Sequence, residues 1–337
     1  MTRHITLKSA INEALDQEMA RDPKLLLFGQ DTAGGVGAGG VADTWGGVLG
    51  VTKGLYTKYG DRVIDAPPTE MAYVGAAVGA ALSGVPVVAE VPFIDFMGVC
   101  FDQLLNQAAK IRYMFGGTAE IPLVIRTMVG AGINGAAQHS QMLTAMFTHI
   151  PGLKVVCPST PHDAKGLMIE AIRDKDPVIF CEPKFLYETS GAVPADPYTI
   201  PFGQARIAKE GRDVSIVTYG PMVPRALEAA SQLEQKGISA EVIDLRTLSP
   251  LDRTTVLKSV MKTGRLVAAD EAHPRCNIAT DIVAQVTEQC FTSLKAAPQM
   301  VSAPHTPVPF SPVLEKAYIP GAEQIIAAVS RTMASHA

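Results

Sequence analysis

Two short stretches carry residues able to move a proton. In DAPPTEMAYVGAAVGAALSG, residues 65–84, a single carboxylate, Glu70, stands ahead of a run built almost entirely from Ala, Gly and Val. Small residues at 72, 75–77 and 79–81 make a helix so narrow that another helix, or another chain, can approach its backbone closely and exclude water. A carboxylate at the start of such a helix feels two opposed influences: desolvation favours the neutral acid, while the N-terminal dipole favours its charge. It could share a proton with a ligand nitrogen. The plainer reading makes Glu70 the third-position acid of an ordinary capping box, with Pro67 or Pro68 setting the entry. The second stretch is NGAAQHSQ, 134–141, reached from a strand end through the Gly-rich MVGAGINGAA. In an α/β protein this lies beyond the carboxyl ends of strands, where ligands bind. There His139 either carries protons or caps the next helix. His149 and His162 have no His, Cys or acid at ligand spacing, so a zinc site has no support. Adjacent helical residues do not face each other, so Ser140 and His139 do not form a nucleophile and base pair.

A third motif is a decoy. LLLFGQDTAGGVGAGGVADTWGG contains G-x-G-x-x-G at Gly35, Gly37 and Gly40, about 25 residues before Asp65. A dinucleotide site needs those glycines to turn directly from strand into helix, so that the helix N-terminus faces the pyrophosphate. Six residues separate Phe28 from Gly35, and VADTWGGVLG after Gly40 is too rich in Gly for a binding helix. An independent NAD-dependent dehydrogenase is therefore the lesser reading, and a helix directly following Gly40 would revive it. No G-x-x-x-x-G-K-[ST] is present, which excludes a P-loop.

The elements that would position these residues follow from periodicity. Leu7, Ile11, Leu15 and Met19 recur every four positions after Thr6, predicting a capped helix over 6–20. The LLLFG strand is followed by strand-like runs at 85–91, 121–127, 153–158 and 177–183. Helix-like segments at 70–83, 97–115, 138–148 and 161–174 alternate with them. Such alternation predicts a parallel sheet with helices on both faces. Residues 191–213 concentrate Pro, Gly and charge and read as a linker. The pattern then restarts with VSIVTYG, a helix over 222–237, AEVIDLRTL, a helix over 251–263, RLVAADE, a helix near 277–291 and a last strand before APHTPVPF. The expected division is 1–190, a linker at 191–213, and a smaller α/β domain at 214–337.

With 337 residues, 47% of them hydrophobic, the chain can fill two cores without staples. A net charge of -4 with scattered Lys and Arg gives no footprint for nucleic acid or an anionic membrane, so a small-molecule partner is expected. Five cysteines without a C-x-x-C pair read as reduced thiols of a cytoplasmic protein, and no stretch has the length of a membrane span.

Taken in order, RVIDAPPTEMAYVGAAVGAALSG, FDQLLNQAAKIRYMFGG, AAQHSQ, PGLKVVCPSTPHDAKGL, EVIDLRTLSPLD and PHTPVPFSPVLEKAYIP resemble the beta subunit of the thiamine-diphosphate-dependent dehydrogenase component of 2-oxo acid dehydrogenase complexes. Within it, DTWGGVLGVTKGL, DFMGVC and THIPGLKVV look most like the acetoin dehydrogenase branch. The resemblance implies a pyrimidine-type thiamine-diphosphate domain followed by a transketolase C-terminal-like domain. It implies cleavage of acetoin, or of a pyruvate-like or branched 2-oxo acid, with transfer of the acyl unit to lipoamide. Glu70 would hydrogen-bond N1' of the cofactor's aminopyrimidine and favour the imino tautomer that removes the thiazolium C2 proton. Phe96 would stack on that pyrimidine, and His139 would assist proton transfer as the acyl unit passes to lipoamide. Oxygens at Leu123, Ala171, Asp174 and Asp176 would match a potassium site, with Asp176 departing from the family's Asn. GDR at 60–62 is not the G-D-G of a magnesium diphosphate site. The resemblance therefore implies that an alpha subunit supplies that half in an α2β2 assembly, served by a lipoyl-bearing acyltransferase core. Pro68, Pro92 and Pro183 depart from the usual residues around the pocket. A scaffold subunit without catalysis is a further reading, which Glu70 and His139 oppose.

Overall fold

In this computed structural model residues 2–34 and 45–334 are described, and the Gly35, Gly37 and Gly40 motif lies outside them. The four-residue spacing does make a helix. Strand β1 (Thr2–Thr6) leads into α1 (Leu7–Arg21), and Thr6 Oγ1 caps it by accepting from the Ser9 amide at 3.1 Å. Leu7, Ile11, Leu15 and Met19 are all buried and share one core with Ala164, Leu167 and Met168. Along the chain follow β2 (Leu26–Gly29), α2 (Leu55–Tyr59), β3 (Val63–Asp65), α3 (Glu70–Leu82), β4 (Val87–Phe93), α4 (Ala109–Met114), β5 (Leu123–Val129), α5 (Thr144–Thr148), β6 (Lys154–Val156), α6 (Pro161–Arg173), β7 (Val178–Pro183) and β8 (Ser190–Pro194). Six of these strands are ordered β6-β7-β5-β4-β2-β3, and the pairs β2/β3, β2/β4, β4/β5 and β6/β7 are parallel. Every residue of β4, β5 and β7 is buried, as central strands covered on both faces must be. β1 pairs antiparallel with β8, Thr2 opposite Pro194 through Thr6 opposite Ser190.

The second half contains β9 (Arg206–Lys209), β10 (Val214–Thr218), α7 (Met222–Glu234), β11 (Ala240–Asp244), β12 (Thr247–Ser249), α8 (Arg253–Thr263), β13 (Leu266–Ala269), α9 (Ile278–Cys290), β14 (Gln299–Val301), α10 (Pro312–Tyr318) and α11 (Ala322–Ala334). Its sheet is ordered β14-β13-β10-β11-β9, with only β9 antiparallel. Asp252 and Asn277 cap α8 and α9 through the Thr255 and Thr280 amides. The chain divides into two compact units, one of Met1–Met128, Met146–Glu182 and Leu186–Phe202, the other of Val129–Ala145, Pro183–Phe185 and Gly203–Ala337. Among the described residues no helix is long and apolar enough to cross a membrane.

Three segments differ from the expected pattern. The helix expected over 97–115 is a 3₁₀ turn at Ile94–Gly98, a π-helical stretch at Gln103–Ala108 and then α4. Gly98 weakens the first turn, and the wider π turn buries both Leu104 and Ala108. The helix expected over 138–148 shrinks to α5, because residues 130–136 repeatedly enter the left-handed region. The 191–213 stretch carries the end of β8 and all of β9, each paired with a strand distant in sequence.

Candidate active site

Glu70 is the first residue of α3, not its third, and Thr69 makes no side-chain cap. The capping-box geometry is therefore absent. The residue is 8% exposed, and its carboxylate accepts instead from Gln30 Nε2, at 2.9 Å, just beyond the end of β2. One turn on, Tyr73 donates from its hydroxyl to the Glu90 carbonyl at 3.0 Å, fixing α3 on β4. Burial first, and then the Glu70 charge, raise the Tyr73 phenol well above its usual range. The same two causes push the Cys100 thiol up to about 12. Cys100 lies four residues beyond Phe96, so the turn carrying Phe96 and the start of α3 share one electrostatic environment in the first unit. Phe96 is half-buried and meets Phe93 edge to face, with centroids 5.5 Å apart. A carboxylate offers about four lone-pair sites, and Gln30 uses one of them. Glu70 can thus accept a further bond from a protonated ring nitrogen at an apolar wall, or donate to an unprotonated one when it carries the proton itself, which fits an aminopyrimidine.

Beneath this wall lies a buried ionic group that periodicity alone did not disclose. Glu90 on β4 stands in register with Arg126 on β5. Arg126 Nη1 donates to Glu90 Oε2 at 2.6 Å, while its Nε and Nη2 grip Glu182 at 2.7 and 2.9 Å; the Tyr187 hydroxyl also donates to Glu182. Burial, and next to it the opposing pull of Arg126, leave the Glu90 carboxyl raised above its ordinary value. Burial works against the Arg126 charge, but the two carboxylates outweigh it and the guanidinium holds its proton more tightly. Gly47 sits over this acid: a Cβ there would come 3.0 Å from Glu90 Oε1, and its φ is +79°. The sequence signal was one charge within each of three otherwise largely apolar strands, VVAEVPF, LVIRTMV and VIFCEP.

His139 belongs to the second unit and is half-buried in a loop, five residues ahead of α5. Its amide donates to the Ala136 carbonyl at 3.5 Å. Gly135 packs directly on it, since a Cβ there would stand 3.2 Å from His139 Cβ and 2.8 Å from Ser140 Oγ.

The four residues of the expected potassium site belong to the first unit. Leu123 opens β5, Ala171 lies in the last turn of α6, Asp174 is the C-cap of that helix, and Asp176 precedes β7. Both carboxylates are engaged by cations of the chain itself. Asp174 takes Lys154 Nζ at 2.6 and 2.8 Å, and Asp176 takes Arg112 Nη1 at 2.7 Å and Lys154 at 3.3 Å. Among the described residues no group of three or more His, Cys, Asp or Glu is placed to hold a metal.

Comparison with known proteins matches residues 3–189 to the transketolase pyrimidine-binding domain and residues 203–325 to the transketolase C-terminal domain. The chain is 67% identical over 333 residues to the beta subunit of acetoin:2,6-dichlorophenolindophenol oxidoreductase from Cupriavidus necator, covering 99% of this chain and 98% of that one. It is 53% identical over 329 residues to the subunit of the same name from Bacillus subtilis, covering 97% and 96%. The 2-oxoisovalerate dehydrogenase beta subunit of Bacillus subtilis is 41% identical over 323 residues, covering 95% and 96%. Among solved structures, a split-gene transketolase described as an inactive beta4 tetramer superposes with a TM-score of 0.78 at 22% identity over 98% of both chains, a likeness of fold alone.

Proposed function

The chain belongs to the transketolase-like family of dehydrogenase beta subunits, and from that premise we propose that it is the beta subunit of a thiamine-diphosphate-dependent acetoin dehydrogenase. The observation that carries this reading is Glu70 itself, an acid at the first turn of a Gly- and Ala-rich helix, held by Gln30 and nearly buried. Thiamine diphosphate, when bound, supplies the nucleophilic carbon and the electron sink. Glu70 holds the proton at the pyrimidine N1'. Gln30 fixes which carboxylate oxygen faces the ring, and the apolar wall excludes competing water. Phe96 offers the pyrimidine a stacking face. His139 carries the proton exchanged as the acyl unit leaves. In balance, acetoin and the disulfide of a lipoyl arm become acetaldehyde and the acetyl thioester of the reduced arm.

The domains at 1–190 and 214–337 divide these tasks, the first taking the pyrimidine. An alpha subunit holds the diphosphate and its magnesium, most simply in an α2β2 assembly in the cytoplasm, and a lipoyl-bearing acyltransferase receives the acetyl group. No step is given to potassium, since Asp174 and Asp176 are already neutralised by Lys154 and Arg112. The 41% identity to a 2-oxoisovalerate dehydrogenase subunit keeps a 2-oxo acid as the competing substrate. The test is reconstitution with the alpha subunit, thiamine diphosphate and magnesium, following reduction of 2,6-dichlorophenolindophenol with acetoin, pyruvate and 2-oxoisovalerate in parallel. Faster reduction with either 2-oxo acid than with acetoin would overturn the substrate assignment.

A further inference from the structure

The loop that leads to His139 has an unusual backbone. Gly130, Gly132, Asn134 and Ala136, every second residue, have φ of +84°, +108°, +59° and +57°. Gly accepts that region freely and Asn tolerates it, but Ala136 is strained there, three residues ahead of the imidazole. Strain of this kind persists only where the surroundings over-determine it. Alternation of this sort turns successive amides toward the same side, a concavity that takes anions.

Two buried carboxylates of the same unit fill that role. Glu271, immediately after Asp270 at the end of β13, accepts the Ala131 amide through Oε1 at 2.7 Å. Glu315 on α10 accepts the Gly132 amide at 2.9 Å and the Asn134 amide at 3.0 and 3.2 Å, using both oxygens. They are 2% and 4% exposed. Arg225 balances Glu271 through its other oxygen at 2.7 Å, and Lys184 closes the near end of the loop by donating to the Gly130 carbonyl. The far end is pinned by a buried chain in which Thr144 and Tyr219 share a hydrogen bond of 2.8 Å and Tyr219 donates to Asp270 at 2.8 Å. Gly135, next to the clamped Asn134, leaves no room for a side chain against His139: a Cβ there would stand 3.1 Å from its carbonyl oxygen and 3.2 Å from its Cβ, so the clamped stretch and the backbone that carries the imidazole are closely packed.

We propose that Glu271 and Glu315 are positioning residues for His139, holding its loop in the strained conformation that sets the imidazole. The C-terminal domain thereby takes part in the reaction as the support of one proton carrier. The inference rests on the reading of His139 given above.

The experiment compares Glu315→Ala, the milder Glu315→Gln, His139→Ala and the double variant Glu315→Ala/His139→Ala in the reconstituted complex. Amide exchange across 129–145, measured by mass spectrometry on the full chain without cofactor, should rise about tenfold at residues 131–134 in Glu315→Ala and stay as in the parent in His139→Ala. Acylation of lipoamide should fall about tenfold in Glu315→Ala and less in Glu315→Gln, while hydrogen–deuterium exchange at the cofactor C2, the task of Glu70, stays within about twofold. The double variant should be no slower than His139→Ala, within about twofold, because Glu315 acts only through that residue. Unchanged acylation in Glu315→Ala beside a slow His139→Ala, or multiplied losses in the double variant, would overturn the proposal and leave the role of His139 standing. Unchanged acylation in His139→Ala would overturn that role, and the proposal with it.

Discussion

Replacing Glu70 by Gln separates proton sharing from every structural duty of that residue. The side chain keeps its size, and its amide oxygen can still accept from Gln30 Nε2, now 2.9 Å from the carboxylate. Exchanging a charge-assisted bond for a neutral one costs about 1 kcal/mol. That loss is offset in part because the charge of a residue only 8% exposed no longer has to be desolvated. Folding and assembly should therefore change by no more than about 1 kcal/mol. The effect on chemistry is of another size. With its oxygen turned to Gln30, the amide presents N–H to the pyrimidine N1', where a proton must instead be shared. A loss of about two to three decades in cofactor C2 exchange corresponds to roughly 3 to 4 kcal/mol of barrier. The assay is hydrogen–deuterium exchange at C2 of bound thiamine diphosphate, quenched in acid and read by NMR, with melting and sedimentation as controls. A capping acid would give the small stability change and no change in exchange. Exchange at the parent rate in Glu70→Gln would refute the role assigned to this carboxylate.

Three further outcomes follow from the same geometry. The chain alone should neither bind thiamine diphosphate tightly nor turn over acetoin, both appearing on addition of the alpha subunit; titration calorimetry and dye reduction check this, and appreciable activity of the isolated chain would contradict it. Arg126→Met strands Glu90 and Glu182 without their buried cation and should cost about 3 to 5 kcal/mol in denaturant unfolding, whereas a loss below about 1 kcal/mol would remove the network from the stability of the first unit. Glu90 binds its proton more tightly folded than unfolded, so its contribution is complete below its ordinary value of 4.5 and is lost as pH rises toward the raised folded value. Glu90→Gln should flatten the resulting decline as pH rises above 4.5, and parallel stability curves for parent and variant would contradict the assignment.

What was legible in the sequence is what local chemistry dictates. Thr6 with Leu7, Ile11, Leu15 and Met19 specifies a capped amphipathic helix within one window, and largely apolar strands such as that of β5 announce a parallel sheet. The start of α3 at Glu70 was only half readable, because the helix-like run begins at 70 but Pro67 and Pro68 also suit a first helical turn, which would make Glu70 its third residue. Gln30 could not be found this way, since it reaches Glu70 across 40 residues. The loop at 130–136 misled for the opposite reason. Its amides go to Glu271 and Glu315, 140 and 183 residues downstream, and those bonds override a helical pattern that begins on paper at 138. The only hint of them was acid placed where burial was expected, in AADEAHP after β13 and in PVLEKAY.

The pairing of β1 with β8 bears on how the chain is made. Thr2–Thr6 find their partners only at Ser190–Pro194, so β1 waits through the synthesis of nearly two hundred further residues before its amides are matched. Closing a loop of that length costs on the order of 5 kcal/mol in chain entropy, repaid only when α1 settles against α6. Folding of the first unit is therefore a late event in translation. Until then the apolar stripe of α1 is open to capture by chaperones or by other nascent chains. A fragment ending at Thr189 would contain every strand of the parallel sheet in that unit and still leave β1 as an unpaired edge, the condition under which strands associate between molecules.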